Sequence, residues 1–80
     1  MDLSKHAKKR CQQFGISAQT LQRILRNGKV SSAKDNALLL SAYGKWFPKS
    51  DRANGIHLMV DRNSNKIITV FKNKNFKLHN

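Results

Sequence analysis

The sequence predicts an α+β domain in which two N-terminal helices pack on an antiparallel β-sheet of three to four strands. Before Gly28 the apolar residues recur at helical spacing, whereas after it come short β-branched and aromatic runs divided by turn-formers. The chain has 80 residues, enough for one core and no more, so 1–80 is read as a single domain.

Leu3, Ala7, Cys11 and Phe14 follow at steps of four, four and three, one face of a first helix, with Lys5, Lys8, Lys9 and Gln12 on the other side. Asp2 or Ser4 can accept the free N–H groups at its start, and Gly15 suits a left-handed end. Ser17 caps a second helix through Leu21, Ile24 and Leu25, and Ile16 and Leu21 stand at the spacing of a hydrophobic staple. Asn27 and Gly28 are its C-terminal signals.

"IHLMV" and "KIITVF", separated by "DRNSN", read as a β-hairpin. "NALLLSAYGKWF" is read as a further strand, because Tyr43, Trp46 and Phe47 favour extended structure over a helix turn. "PKSDRANG" is a loop, and the basic tail after Phe71 is expected to extend the last strand by two or three residues.

Lys and Arg number 16 against 4 Asp and no Glu, a formal net charge of +12 spread from Lys5 to Lys77. A polyanion is the natural partner, bound with steep salt dependence. Cys11 has no partner for an internal disulfide and belongs to the core face. No apolar run is long enough to span a bilayer and no signal-peptide pattern opens the chain, so a soluble protein acting in the cytoplasm is expected.

Asp2, Asp35, Asp51 and Asp61 stand singly, which argues against clustered carboxylates holding catalytic metal ions, and no metal or cofactor is expected. Metal-free RNA cleavage remains open, because the substrate supplies its own nucleophile, the 2′-hydroxyl. The protein then needs a proton acceptor and positive charge. His6 and Arg10, at i and i+4, share one helix face: a histidine exchanges protons near neutrality and an arginine forks onto a phosphate. The plainer reading makes them a helix-start residue and a boundary cation. His57 is expected to face away from Ile56, Leu58 and Val60 and to be structural, and His79 lies at the terminus. Lys72 and Lys74 continue the alternation of Ile68 and Val70, while Thr69 alternates with Ile67 and Phe71.

"SKHAKKRCQQFGIS", a second helix ending "NGK" and "HLMVDRNSNKIITVFK" together resemble small bacterial domains with an His-Ala-x-x-Arg helix, a Gly-Ile-Ser bridge and a closing "iiTvy" strand. These are grouped with the barnase–EndoU–colicin–RelE (BECR) ribonucleases and toxins. The opening stretch is also loosely similar to colicin D-type nuclease domains, which cleave tRNA. The resemblance covers both ends of the chain but not residues 31–53.

The resemblance implies a metal-independent endoribonuclease toxin domain cleaving tRNA or mRNA. His6 would transfer the proton, Arg10 would hold the scissile phosphate, Thr69 would hydrogen-bond the phosphate or the 2′-hydroxyl, and Lys72 would stabilise the pentacoordinate state. Phe71 stands where the pattern has tyrosine, which removes a phenolic acid. Lys5, Lys9 and Lys74 would contact the RNA backbone, and within residues 31–53, which the resemblance does not cover, Tyr43, Trp46 or Phe47 would stack on unpaired bases if exposed, core packing being the commoner fate of such residues. An acidic antitoxin or immunity protein is the expected protein partner, and delivery as part of a larger secreted toxin is compatible with the sequence. A non-catalytic RNA- or DNA-binding module, or a basic protein-interaction or inhibitor protein, is the alternative.

Overall fold

The computed structural model describes residues 2–34 and 36–73. Ser4 is the residue from which the fold is most simply built. Its Oγ accepts the Ala7 N–H at 3.0 Å, the N-cap bond that opens α1 (Lys5–Phe14). The same Oγ donates to the Ile68 carbonyl at 2.6 Å, and the Ser4 N–H donates to the Ile67 carbonyl at 3.0 Å. One side chain therefore both caps the helix and ties it to the last strand. Leu3, expected on the helix, lies before the cap instead: Asp2–Leu3 is a short strand, β1, paired in parallel with Lys66 and Ile67. That pairing spans most of the chain, and no local spacing reports it.

α1 buries Ala7 and Cys11, and Gly15 ends it at φ 66°, the left-handed turn read from the sequence. Ser17 then caps α2 (Ala18–Asn27) by accepting the Thr20 N–H at 3.2 Å, and α2 buries Leu21 and Ile24. Ile16 packs against the core beside them. α2 ends at Asn27 with Gly28 as its C-cap, where the sequence places its C-terminal signals. Gly28 is extended, at φ −66° and ψ 150°, and its N–H donates to the Ile24 carbonyl at 2.7 Å. Glycine is required there by proximity: a Cβ would lie 2.4 Å from that oxygen.

The chain runs directly from Gly28 into β2 (Lys29–Lys34), followed by β3 (Ala37–Ser41), β4 (Ile56–Asp61) and β5 (Lys66–Lys72). These form a five-stranded sheet in the order β1-β5-β4-β3-β2, antiparallel except at β1–β5. The fold is the expected α+β arrangement with one strand more than the upper expectation. β1 has two residues and β2 is a Lys- and Ser-rich edge strand, so neither carries the apolar alternation by which strands are recognised.

The strand read through "NALLLSAYGKWF" stops at Ser41, and Gly44–Trp46 forms a single 3₁₀ turn. Gly44 takes φ 85°, which breaks the extended run. Phe47, just beyond, is fully buried, while Trp46 is 60% exposed.

The sheet has two unlike faces. Leu40, Ile56, Leu58, Val60, Ile67 and Val70 join Ala7, Cys11, Leu21 and Ile24 of the helices in one apolar core, completed by Ala42, Phe47 and Ala53. Ser41, His57, Met59, Thr69 and Phe71 alternate with these residues and belong to the opposite face. A β-bulge corrects the alternation expected for β5: Thr69 pairs with Met59, but Ile67 pairs with Val60, leaving Ile68 as the extra residue. Ile67 consequently shares the helix-side face with Val70 and not with Thr69. Among the described residues no helix is long and apolar enough to cross a membrane.

Candidate functional site

α1 shows solvent a strongly basic surface. Lys5, His6, Lys8 and Lys9 are all exposed, and Arg10 is half-buried one turn beyond His6. Its guanidinium lies over the Phe14 ring, 5.5 Å from the centroid, and Nη1 donates to Gln13 Oε1 at 3.4 Å. Arg10 Nε is buried without a hydrogen-bond partner among the described residues. His6, Arg10 and Phe14 thus form one stripe along α1, each a turn after the last.

The stripe leads into a cleft of about 400 Å³, where the end of α1, the Gly15-Ile16 bridge and the start of α2 meet Arg52, Ile56 and Lys72. Among the described residues its lining contains no carboxylate. The nearest acid along the chain, Asp51, is engaged elsewhere. It accepts from Arg23 Nη2 at 2.7 Å and Nη1 at 3.4 Å, and from the Ala53 N–H at 2.8 Å. The Arg23 hydrogen bond, then that of Ala53, holds the Asp51 carboxyl below its ordinary value, and the same contact raises the Arg23 guanidinium further. Arg52 and Lys72 form no ion pair with a described residue, so the cleft keeps its positive charge.

Of the four residues expected to be catalytic, the structure groups three on the helix side of the sheet. His6 and Arg10 share α1, and Lys72, which pairs with Ile56 and alternates with Val70, lines the cleft with Phe14. Thr69 is tied to α1 only through the backbone, as the neighbour of the Ile68 carbonyl that Ser4 holds; its side chain belongs to the other face, with Met59 and Phe71. Lys5 and Lys9 flank the stripe. Trp46 lies on the exposed 3₁₀ turn with Lys45 Nζ 5.4 Å from its ring centroid. Lys74, His79 and Asp35 lie outside the described residues.

Two cleft residues escape sequence reasoning. Phe14 falls at core spacing yet is half-buried beneath Arg10, and Arg52 lies in a polar loop without local pattern. On the opposite face, where the alternation places it, His57 is buried. Its Nδ1 is 2.7 Å from Ser41 Oγ, its Nε2 3.3 Å from the Asn73 carbonyl, and its ring stacks on Phe71 at 4.8 Å. Burial pushes its pKa down, partly opposed by the Asn73 contact. Burial likewise raises the Cys11 thiol, which suits a core residue and not a nucleophile. Among the described residues no group of three His, Cys or Asp side chains is placed to hold a metal ion.

These features define a small basic α+β domain with a helix-borne His/Arg pair leading into a cationic cleft. Residues 3–72 match the family described as a domain of unknown function, DUF4258, and the chain belongs to that family. Neither the curated proteins nor the solved structures contain a match to it.

Proposed function

We propose that this domain is a metal-independent endoribonuclease of the BECR type, acting on tRNA or mRNA in the cytoplasm. The observation that carries the reading is the continuous strip of His6, Arg10, Phe14 and Lys72 on a chain of net charge +12. The exposed imidazole of His6 takes the proton from a 2′-hydroxyl, whose oxygen attacks the adjacent phosphorus. The bond from phosphorus to the 5′-oxygen breaks, that oxygen takes a proton from water or from His6, and a 2′,3′-cyclic phosphate remains. Arg10 and Lys72 neutralise the charge that gathers on the phosphoryl oxygens. Thr69 acts through β5, whose backbone holds the first turn of α1.

The facing of Thr69 and the stacking of Phe71 on His57 favour a second reading, a non-catalytic RNA-binding module in which the strip supplies contacts only. In either case an acidic antitoxin or immunity protein would compete with RNA for the same surface and associate rapidly. Incubation of total cellular RNA with the protein in EDTA, wild type beside His6→Gln, separates the two. Discrete fragments from the wild type alone support the nuclease. Intact RNA in both lanes, with salt-sensitive gel shifts, supports the binder.

A further inference from the structure

We propose that the cleft beside Phe14 is a nucleotide subsite, taking one nucleotide of single-stranded RNA with its base against the Phe14 ring and its phosphate between Arg52 and Lys72. The inference deepens the reading of RNA as the partner and rests on it. Three observations converge on the cleft. Its volume, about 400 Å³, falls within the range of small-ligand pockets. Among the described residues its charge is uncompensated, because the Asp51 carboxylate is held by Arg23 and the Ala53 N–H. Its lining combines an aromatic ring with two cations and the hydroxyls of Ser17 and Thr20, the mixture that receives a stacked base and its phosphate.

The position along α1 gives the subsite a role. Phe14 lies two turns beyond His6, about 12 Å at the helical rise per residue. A short run of unstacked nucleotides spans that distance, so a base held at Phe14 places a phosphate further along the strand near His6 and Arg10. The guanidinium of Arg10, stacked over the same ring, joins the two ends of the path. The cleft therefore selects where along a single strand the protein engages, and a duplex, whose bases are stacked on one another, does not enter it.

The test is a titration of isotope-labelled protein with 5′-AMP and, separately, with inorganic phosphate, followed by amide chemical shifts. The expected result is saturable shifts at Gly15, Ile16, Ser17 and Lys72, with 5′-AMP binding about tenfold more tightly than phosphate because the base stacks. Phe14→Leu should reduce 5′-AMP to the affinity of phosphate, and Arg52→Gln, an exposed position away from His6 and Arg10, should weaken both ligands. Equal affinities for 5′-AMP and phosphate, or no saturable shift at those amides, would overturn the subsite. A protein that cleaves or binds RNA yet shows no such shifts loses the subsite and keeps the RNA reading. Saturable 5′-AMP binding in a protein that neither binds nor cleaves RNA overturns the RNA assignment of the cleft.

Discussion

Ser41 Oγ and His57 Nδ1 stand 2.7 Å apart across the β3–β4 pair, joining two buried side chains on the sheet face away from the helices. The contact gives the sheet a titratable element that the proposed chemistry does not use. Because burial lowers the His57 pKa, the unfolded chain binds its proton more readily than the folded one. This contribution to stability is full above about pH 6.5, the ordinary imidazole value, and is lost as pH falls through the folded-state value. Urea unfolding from pH 8 to pH 5 should therefore show a falling midpoint, and His57→Phe should flatten that dependence. Ser41→Ala should cost about 1–3 kcal/mol at pH 7.5, since it removes a buried hydrogen-bond partner.

Asp51 titrates in the opposite sense of charge with the same direction of stability. Its pKa is lowered by Arg23 and then by the Ala53 N–H, so its contribution is present above the ordinary carboxylate range and lost as pH falls through its folded-state value. Asp51→Asn should lower the melting temperature at pH 7, and the gap from wild type should close near pH 2. Equal gaps at both pH values would show that the carboxylate charge plays no part in joining α2 to the 48–55 segment.

The two helix-ending glycines should respond differently to alanine. Gly15→Ala meets open space but must hold φ 66°, a cost of about 1–2 kcal/mol. Gly28→Ala has an ordinary φ but drives its Cβ against the Ile24 carbonyl, so the end of α2 or the start of β2 must move, at about 1–3 kcal/mol. Thermal unfolding measures both. The structural signature separating them is amide shifts propagating into β2 for Gly28→Ala alone.

Trp46, 60% exposed, packs little against the fold. Trp46→Ala should change stability by no more than about 0.5 kcal/mol. If the ring stacks on an unpaired base, the same variant should bind single-stranded RNA several-fold more weakly, and the wild-type fluorescence should be quenched on titration. Unchanged affinity and emission would leave Trp46 as a surface residue beside Lys45.

Arg10→Lys keeps the charge and loses the planar fork that lies over Phe14. Stability should be nearly unchanged, and if the domain is the ribonuclease proposed above, the rate of RNA cleavage in EDTA should fall about tenfold or more. A rate equal to wild type would remove Arg10 from the phosphate-holding role.

What the sequence revealed follows the range of the interactions involved. Ser4, Gly15 and Ser17 announce the helix ends because capping is local, and the runs around Leu58 and Val70 announce strands because their alternation is local. The parallel pairing of Leu3 with Ile67 and the edge strand at Lys29 were hidden, since one depends on residues far apart in the chain and the other has no apolar pattern. The bulge at Ile68 reversed the face of Ile67 for the same reason: a pairing defect leaves no trace in composition. Of the candidate site, the placement of His6 and Arg10 one turn apart on a single helix was legible from their spacing. Arg52 was not, because only the fold brings its loop to the end of α1.

The anchoring of Ser4 to the Ile67 and Ile68 carbonyls has a consequence for synthesis and breakage. A ten-residue helix is marginal alone in water, and α1, near the start of the chain, leaves the ribosome before the strand that holds it exists. Its basic stripe takes its final placement only once Lys66–Lys72 has emerged and paired. A chain interrupted before Lys66, or released from β5 by a cut in the turn between Asp61 and Lys66, keeps every residue of the stripe and loses the surface on which they are aligned.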